Sequence, residues 1–512
     1  KRQIIGDKAA DRIAYEFELL KNPNTGKIPK NIRQKEKLFS NKLPKGSLLK
    51  RLMSKNKGNI KSKSSASWTA RGPGNVGGRT RALALDLDNE NIVFAGGVSG
   101  GLWRSINGGT SWNRVTAANQ NPGITAIVQD PRSGSRNIWY YASGEHLGNS
   151  ASLRGASAKN IGALYQGTGI YKSMDSGLTW TRIVDTNDMN VTTNSDFDYI
   201  NGLAVNPLNG DLYFSAINGV YRIKASAPEV VELAFDANLS FITEVNISPT
   251  GKIYVTASKE DGQDSSGNSN NIASRISVST DGDNWTDITP SALSDATLYI
   301  GRIVIEIDPS DENFVWIFAD NIRGDEYLYR YQVDTDTWVD RSSGLPKDQT
   351  FGVNTQGGFN MMIKVHPSNS DIVFVGGTNL YRSNNGFTTE INNSGWIGGY
   401  SLSGAWNVYP DHHPDQHNLV FLPSNPSNAI SATDGGLHFT QNILSGVTSW
   451  KSLNNNYLTT HPYAVSFDPS GSSDNLLAGF QDNGSWYGSS TYLQDPWYQQ
   501  YGGDGAYNAI AD

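Results

Sequence analysis

Three glycine-containing turns in the C-terminal third of the chain carry carboxylates. Their acidic residues are Asp434 in Asp-Gly-Gly, Asp482 in Gln-Asp-Asn-Gly and Asp504 in Gly-Gly-Asp-Gly. Two such groups at one site could act as acid and base in glycoside hydrolysis, at a separation of about 5–5.5 Å or about 6.5–9.5 Å. Asp-Gly is also a common turn sequence, and clustered carboxylates suit calcium. The three are therefore catalytic candidates, with calcium binding and simple turn formation as alternatives.

A cluster of histidine and aspartate residues precedes these turns. Four of the seven histidines lie between residues 412 and 438. The segment 411–417 offers five metal-ligand candidates, which are Asp411, His412, His413, Asp415 and His417. Imidazole and carboxylate groups together suit zinc or another divalent cation, and alternate residues of a strand share one face. A buried hydrogen-bonded cluster and an exposed loop are the alternatives, so the segment alone identifies no cofactor.

The motif Ser-x-Asp-x-Gly-x-x-Trp, called the Asp box, recurs along the chain and predicts hairpin turns. It is complete at 173–180, has Asn for Asp at 105–112, is one residue short at 279–285 and is degraded at 383–386. The acidic or amide side chain can accept from turn amides, glycine supplies a positive φ, and tryptophan covers the hairpin. The residues with this structural role are Ser105, Asn107, Gly109, Trp112, Ser173, Asp175, Gly177, Trp180, Ser279, Asp281 and Trp285. The motif does not by itself indicate sialidase activity.

From Trp68 onward the chain repeats a unit of four short strands that would position these residues. Each unit has an apolar first strand, a polar turn, a second strand, a Gly-rich link and two further strands. The first strands are predicted at 81–86, 124–131, 200–207, 242–249, 303–309, 361–367, 418–426 and 463–469. Eight such units favour an all-β propeller of four-stranded blades. We expect about eight or more blades, in one ring by preference and two as the alternative, over residues 66–512 and continuing beyond them.

Charge divides the chain into a basic N-terminal part and an acidic remainder. Residues 1–65 hold 18 of the 42 Lys and Arg residues but 5 of the 49 Asp and Glu residues, which gives net charges of +13 and −20. Apolar residues at helical spacing predict a helix over 7–21. We interpret 1–65 as a partly helical extension that lies on the acidic body. A nucleic-acid role is disfavoured because the acidic body repels phosphate and the extension lacks interleaved aromatic residues.

Composition and missing motifs limit the function classes. The chain has no cysteine, which excludes disulfides and thiolate metal sites. No run of 18 apolar residues predicts a transmembrane segment, and a secreted form would have lost its signal peptide already. Neither a His-Glu-x-x-His motif nor an EF-hand loop occurs. The Gly-rich segment 72–81 does not open a helix, so we interpret it as a turn whose arginines, Arg79 and Arg81, pair with acidic neighbours.

The combination of these features resembles the large Asp-box (BNR) and sortilin/Vps10-like propellers secreted by Bacteroidetes. The matching stretches are 23–29, 68–83, 98–105, 411–413, 433–436, 481–484 and 503–505. The resemblance implies export through the type IX secretion system to the cell surface or the medium, in some cases in gliding bacteria. It implies no catalytic residues, because most such propellers have no established catalytic role.

Three functions compete at this point. The leading hypothesis is a non-enzymatic binding or adhesion protein whose propeller face engages a protein or glycan at the cell surface, after contact with the secretion machinery during export. Many blades without a convergent nucleophile and base favour it over an enzyme. The alternative is a polysaccharide-active glycoside hydrolase that uses the acidic turns. A scaffold recognised mainly as secretion cargo is the third hypothesis.

Overall fold

A computed structural model describes most of the chain from residue 70 onward and little before it. The described residues are 14, 17–18, 21–29, 35, 39, 70–117, 123–146, 165–183, 196–228, 230–237, 242–258, 274–295, 298, 300–321, 326–347, 352–400 and 408–510. The chain forms two compact units, Lys1–Thr69 with Asp188–Ser195 and Ala70–Asn187 with Asp196–Asp512. Within the described ranges, no helix is long and apolar enough to cross a membrane.

The first unit shows helical backbone at Ala14, Phe17 and Glu18. A turn follows, in which the Gly26 N–H donates to the Asn22 carbonyl at 2.8 Å and Gly26 has a φ of 63°. The rest of the predicted helix over 7–21, and most of the predicted extension over 1–65, lie outside the described residues.

Among the residues that the structure describes, the second unit contains eight antiparallel sheets, each made of four strands that are consecutive in the chain. The first four sheets are β1 (Thr80–Leu85), β2 (Val93–Gly97), β3 (Gly101–Ser105) and β4 (Asn113–Arg114); β5 (Ile124–Gln129), β6 (Trp139–Ser143), β7 (Ile170–Ser173) and β8 (Thr181–Arg182); β9 (Ile200–Val205), β10 (Leu212–Ala216), β11 (Gly219–Ile223) and β12 (Val231–Asp236); and β13 (Ile242–Ile247), β14 (Ile253–Ser258), β15 (Arg275–Ser279) and β16 (Thr286–Asp287).

The last four sheets are β17 (Ile300–Ile307), β18 (Phe314–Asn321), β19 (Tyr327–Gln332) and β20 (Thr337–Asp340); β21 (Met362–His366), β22 (Asn369–Gly376), β23 (Leu380–Ser383) and β24 (Trp396–Gly398); β25 (Gln416–Leu422), β26 (Asn425–Thr433), β27 (Gly436–Thr440) and β28 (Lys451–Ser452); and β29 (Pro462–Phe467), β30 (Leu476–Phe480), β31 (Gly484–Gly488) and β32 (Tyr498–Tyr501). Short 3₁₀ turns occupy Asp196–Asp198, Ser342–Gly344 and Asn393–Gly395. We call the sheets blades 1 to 8. The predicted all-β class with eight four-stranded units is confirmed.

In blades 1 and 4, burial falls from the second strand to the fourth. Strand β2 is buried throughout, whereas β4 is exposed. Strand β14 is likewise buried throughout and β16 is exposed. A strand covered on both faces can be continuously apolar, and a short polar strand protects the open edge. Close contact between blades needs glycine at one point, because a Cβ on Gly96 would lie 2.4 Å from the Ile124 Cγ2 of blade 2.

Seven of the eight blades close into a ring. The first strand of each blade from 1 to 6 contacts the first strand of the next blade, and β25 of blade 7 contacts β1. A hydrophobic core fills each of the seven interfaces. The closing interface holds Leu83 and Trp103 from blade 1 and Ile430 and Leu437 from blade 7. Burial of apolar side chains between sheets is therefore what holds the ring closed.

Blade 8 lies outside this ring, which corrects the preference for one ring that contains all the units. Its own core is small and consists of Leu476, Ala478, Phe480 and Trp497, with Trp486 packed against it. Its first strand exposes Tyr463, Val465 and Phe467, at 42%, 52% and 62%. The physical reason is that the space between blades 7 and 1 is already filled by buried side chains, so no further blade fits there.

The complete Asp box forms a turn between the last two strands of blade 2. Ser173 Oγ donates to Asp175 Oδ1 at 2.7 Å, and the same carboxylate oxygen accepts from the Thr179 N–H at 2.8 Å. Hydrogen bonds from the Thr179 hydroxyl and backbone lower the pKa of Asp175 to about 2. Gly177 has a φ of 77°, and the Trp180 indole donates to its carbonyl at 3.1 Å. These bonds hold the hairpin together.

Candidate functional site

The guanidinium of Arg79 joins three carboxylates at one end of the ring axis. It donates to Glu145 at 2.9 Å and to Asp434 at 3.2 Å, and it lies 3.5 Å from Asp482. The side chains of Arg79, Glu145 and Asp434 are each 1% exposed, whereas that of Asp482 is 28% exposed. The cluster therefore has a closed inner part and one carboxyl group at its mouth.

Blade topology explains why residues so distant in sequence meet here. Arg79 immediately precedes β1, the first strand of blade 1. Glu145, Asp434 and Asp482 each follow a second strand, β6, β26 and β30 respectively. In an antiparallel pair the start of the first strand and the end of the second lie at the same edge. The four side chains therefore come from equivalent edges of blades 1, 2, 7 and 8.

A second arginine, Arg81, shares contacts with the first. Arg81 donates through Nε to Glu145 and through Nη2 to the Phe359 carbonyl at 3.1 Å. The guanidinium carbons of Arg79 and Arg81 lie 4.8 and 5.2 Å from the centre of the Phe359 ring. A buried cation gains stabilisation over an aromatic face, and this helps to offset the desolvation of both arginines.

The buried inner carboxylate is ionised. Burial alone would raise the pKa of Asp434, but Arg79 and His417 outweigh it and hold the pKa well below its usual range. His417 Nε2 lies 2.5 Å from Asp434 Oδ1. Burial and the neighbouring Arg81 charge lower the pKa of His417 to about 4. The imidazole is therefore neutral at pH 7 and donates its Nε2 proton to Asp434.

Two neighbouring carboxyl groups have raised pKa values. Burial raises the pKa of Asp482 well above its ordinary value, and the negative charge of Asp434 adds to the effect. Burial and Asp434 raise the pKa of Asp415 in the same way. In enzymes, two carboxyl groups of one site can serve as acid and base when their surroundings raise the pKa of one and lower that of the other.

The Asp482 turn is held in a strained conformation at the mouth. Asp482 has a φ of 57°, in the left-handed region that favours glycine. Its N–H donates to Asp504 Oδ1 at 2.8 Å, and its carbonyl accepts from His413 Nε2 at 2.9 Å. Asn483 Nδ2 donates to the Asp434 carbonyl at 3.0 Å. These contacts bring together the three acids that the sequence singled out and keep the Asp482 side chain at the opening.

The five predicted metal ligands turn toward different partners. His412 contacts Ser431, His413 contacts the Asp482 carbonyl, Asp415 contacts Asn360, His417 contacts Asp434, and the Asp411 carbonyl contacts His438. In the part of the chain that the structure describes, no group of three His, Asp or Glu residues could hold a metal ion. His412 and the neighbouring His438 are hydrogen-bonded to backbone groups instead. The Gly399 N–H donates to His412 Nδ1 at 3.2 Å. Burial lowers the pKa of His438 to about 3.

A polar cavity of about 250 Å³ continues from the cluster along the ring axis. Residues from the first strands of all seven ring blades line it, Arg81, Arg302 and His417 among them. Arg302 donates to Glu244 at 2.7 Å across neighbouring blades. Charges on the described wall are thus paired with charges from another blade, which lowers the cost of placing them inside the ring.

Sequence reasoning missed several members of the cluster. Arg79 and Arg81 were expected to pair with acidic neighbours, and their partners prove to lie 64 or more residues away. Glu145 was not singled out, although it follows a second strand as Asp434 does. That equivalence within the repeat was the available signal. Phe359 gave none, because its role depends on the two guanidinium groups stacked over it.

Comparisons with known proteins place the fold of this chain among β-propellers. No protein-family model matches the sequence. A segment of 181 residues, 34% of this chain, is 30% identical to a xyloglucanase from Paenibacillus sp. and spans 16% of that protein. The GH74 enzyme of Niastella koreensis superposes with a TM-score of 0.55 at 18% identity, covering 82% of this chain and 60% of that one. The GH74 xyloglucanase of Xanthomonas campestris gives 0.57 at 16%, covering 86% and 62%.

These similarities support the fold. At such identities the superpositions show a shared β-propeller and nothing finer. The chain spans less than two thirds of the length of each of these proteins.

Proposed function

We propose that this protein is a glycoside hydrolase that acts on a β-linked polysaccharide of the xyloglucan class, with Asp482 as the general acid. The observation that carries the proposal is a carboxyl group with a raised pKa at the mouth of a buried charged cluster. A general acid must hold its proton at the working pH, and a low-dielectric site with a nearby carboxylate achieves this. The local identity to a xyloglucanase supports the substrate class.

Hydrolysis needs a second carboxylate that reaches the sugar, and Asp504 is the candidate. It is exposed and touches the Asp482 backbone. Asp434 does not suit this role, because it is 1% exposed and bonded to Arg79 and His417. We assign Asp434 the electrostatic task of keeping the proton on Asp482. This gives the three acids suggested by the sequence three separate tasks.

The reaction begins with proton transfer from Asp482 to the glycosidic oxygen as the bond to the anomeric carbon breaks. Water adds to the anomeric carbon as that bond breaks and gives its proton to the Asp504 carboxylate, so that each cleavage consumes one water molecule. Asp482 becomes a carboxylate once its proton has left. Arg79 lies 3.5 Å from it and stabilises that charge until water restores the proton.

The test is hydrolysis of xyloglucan, mixed-linkage β-glucan and xylan by the wild-type protein and by Asp482→Asn and Asp504→Asn. Loss of the general acid should lower kcat by about 10²–10⁴. Asp495→Asn is the matched control, because Asp495 is an exposed acid of the same blade outside the cluster. Equal rates for the wild type and Asp482→Asn on a substrate that is cleaved would overturn the residue assignment. No cleavage of any of these glycans would overturn the proposed activity.

The second candidate function is the binding or adhesion role that the sequence favoured. The ion pairs of Arg79 join blades 1, 2, 7 and 8, which is also what a purely structural cluster would do. This role predicts retention of a cell-surface glycan or protein without turnover. A glycan that binds the wild type and is recovered intact would favour it over hydrolysis.

We also propose that the protein is a BNR/sortilin-like propeller located outside the cell and exported by the type IX system. The support is the motif resemblance described above. Expression of the full-length gene in a type IX-competent Bacteroidetes strain and in a mutant lacking the translocon tests it. Accumulation in the medium or on the surface of the competent strain alone is the expected result, and equal export by both strains would contradict it.

A further inference from the structure

His413 lies in the turn before β25 and reaches across to blade 8. Its Nε2 lies 2.9 Å from the Asp482 carbonyl oxygen, and its Nδ1 lies 2.9 Å from the Pro414 carbonyl oxygen. The ring packs on Gly435, between β26 and β27, where a Cβ would lie 2.3 Å from the ring carbon Cγ. Glycine at that point therefore lets the imidazole lie against blade 7 while it reaches blade 8.

Both nitrogens of the His413 ring face acceptors, and this determines which protonation state satisfies them. A carbonyl oxygen can only accept a hydrogen bond, so each ring nitrogen has to carry a hydrogen to bond with it. A neutral imidazole has one N–H and makes one of the two contacts, whereas the imidazolium makes both. The contacts of His413 are thus those of a cation.

Two other histidines have the contacts of a neutral ring. His438 Nδ1 donates to a backbone carbonyl at 2.8 Å, and its Nε2 accepts the N–H of His413 at 3.4 Å. His366 Nε2 donates to a backbone carbonyl at 3.2 Å, and its Nδ1 accepts a backbone N–H at 3.3 Å. In both rings one nitrogen faces an acceptor and the other faces a donor. Burial lowers the pKa of each, which agrees with the neutral form.

The charge that His413 would carry has defined neighbours. The titratable groups on the segments that touch it are Asp411, His412, Asp415, Asp434, His438 and Asp482. Although burial opposes it, Arg79 holds the pKa of Asp434 well below its usual range, so this group is a carboxylate. Burial lowers the pKa values of His412 and His438, so both are neutral at pH 7. Within this set, an imidazolium at position 413 meets the Asp434 carboxylate and no second imidazolium.

The contact between His413 and the Asp482 carbonyl acts on the turn that carries the proposed general acid. Asp482 has a φ of 57°, and its N–H is held by Asp504 of the same blade. One link from this turn to blade 7 is neutral, because Asn483 Nδ2 donates to the Asp434 carbonyl at 3.0 Å. The link from His413 is charge-assisted when the ring is protonated, and such bonds are about twice as strong as neutral ones.

We infer that His413 is a positioning residue, which as an imidazolium joins the Asp482 turn of blade 8 to the turn before β25 and so fixes the place of the Asp482 carboxyl group. The inference rests on the proposed function for its effect on catalysis, whereas the link itself can be measured without a substrate. A ring that has lost its proton has one N–H for two carbonyls. The Asp482 turn is then held more weakly.

The first experiment uses the full chain labelled with ¹⁵N-histidine. Correlation spectra that distinguish protonated from unprotonated ring nitrogens are recorded over a series of pH values, with His413→Gln to assign the signal. Hydrogen exchange of the amides in 481–484, corrected for its intrinsic pH dependence, is followed in parallel. Exchange should become about tenfold or more faster as His413 loses its second proton, as for one lost hydrogen bond to a charged group. A His413 ring that carries one proton wherever the chain is folded, or exchange that does not change when the proton leaves, overturns the inference.

The variant His413→Gln keeps N–H donors for the Asp482 carbonyl and removes the charge. Its amides in 481–484 should exchange about tenfold or more faster than those of the wild type at low pH, without the pH dependence. His366→Gln is the matched control and should leave this exchange within about twofold, because His366 ends β21 and bonds to backbone groups with a neutral ring. Wild-type exchange in a folded His413→Gln protein overturns the inference. If this variant does not fold, the wild-type titration decides alone.

Kinetics on a cleaved glycan separate this inference from the proposed function. His413→Gln should lower kcat about tenfold or more and leave KM within about twofold, because a displaced proton donor slows the chemical step and leaves substrate binding intact. It should also remove one ionisation from the pH profile of kcat. Hydrolysis with the same pH profile and the same exchange in the variant supports the hydrolase and overturns the role of His413. Proton loss coupled to exchange, in a protein that cleaves no glycan, supports the link through His413 and overturns the hydrolase.

Discussion

Substitution of Arg79 by methionine removes the guanidinium that contacts Glu145, Asp434 and Asp482 while keeping most of the side-chain volume. Glu145 retains Arg81 as a partner, and the pKa of Asp482 is already raised by burial and by the charge of Asp434. Asp434 is left without a cationic partner and keeps only hydrogen bonds with the neutral His417 and with Asp482, inside a region where it is 1% exposed. Loss of one partner of a buried ion pair costs about 3–5 kcal/mol, because the remaining charge is uncompensated. We expect Arg79→Met to lower the free energy of unfolding by about this amount at pH 7.

The free energy of unfolding lost in Arg79→Met should depend on pH, and the direction of that dependence follows from the pKa of Asp434. In the wild type its pKa is lowered by Arg79 and His417. The resulting stability is present above the ordinary Asp pKa of about 3.9 and is lost only as the pH falls through the lower folded-state value. In the variant, burial without the guanidinium raises the pKa of Asp434, so the group takes up a proton as the pH falls from 7 toward 4. The stability difference between the two proteins should therefore shrink over that interval.

The assay is urea denaturation followed by tryptophan fluorescence at pH 7 and at pH 4.5. Arg136→Met is the control, because Arg136 is 37% exposed and pairs with Asp88, which is 63% exposed. Such surface pairs are worth about 0–1 kcal/mol. A loss for Arg79→Met no larger than the control, or a loss of 3–5 kcal/mol that is the same at both pH values, would refute the electrostatic account of the cluster.

Two further predictions follow from the same structure. If hydrolysis is observed, kcat should fall as the pH rises through the raised pKa of Asp482, because the general acid loses its proton; a rate that is flat across the alkaline range would exclude Asp482 from this role. Gly96→Ala should destabilise the ring by about 1–3 kcal/mol, since its new methyl group would lie 2.4 Å from Ile124 Cγ2, whereas Gly502→Ala meets nothing within 4 Å. Thermal unfolding of the two glycine variants checks this, and equal melting temperatures would contradict the tight interface between blades 1 and 2.

The candidate site was partly visible in the sequence. Asp434, Asp482 and Asp504 stood out because each lies in a glycine-containing turn, and the structure brings the three together. The segment 411–417 looked like a set of metal ligands because its imidazoles and carboxylates are adjacent in the chain. Their positions in β25 and the turn before it direct them to separate partners. Adjacency in sequence gives the number of candidate ligands and leaves their directions open.

The sequence by itself determined the repeated four-stranded unit and the chemistry of its turns. Both depend on contacts within a few residues, such as the carboxylate of Asp175 bonded to the amide of Thr179. Tertiary structure decided that seven blades close the ring and that blade 8 stands outside it, because closure depends on how side chains such as Trp103 and Leu437 fill the last interface. It also decided that the pKa of Asp434 is lowered while that of Asp482 is raised. These opposite shifts depend on burial and on an arginine more than 350 residues away, and neither can be read from a local pattern.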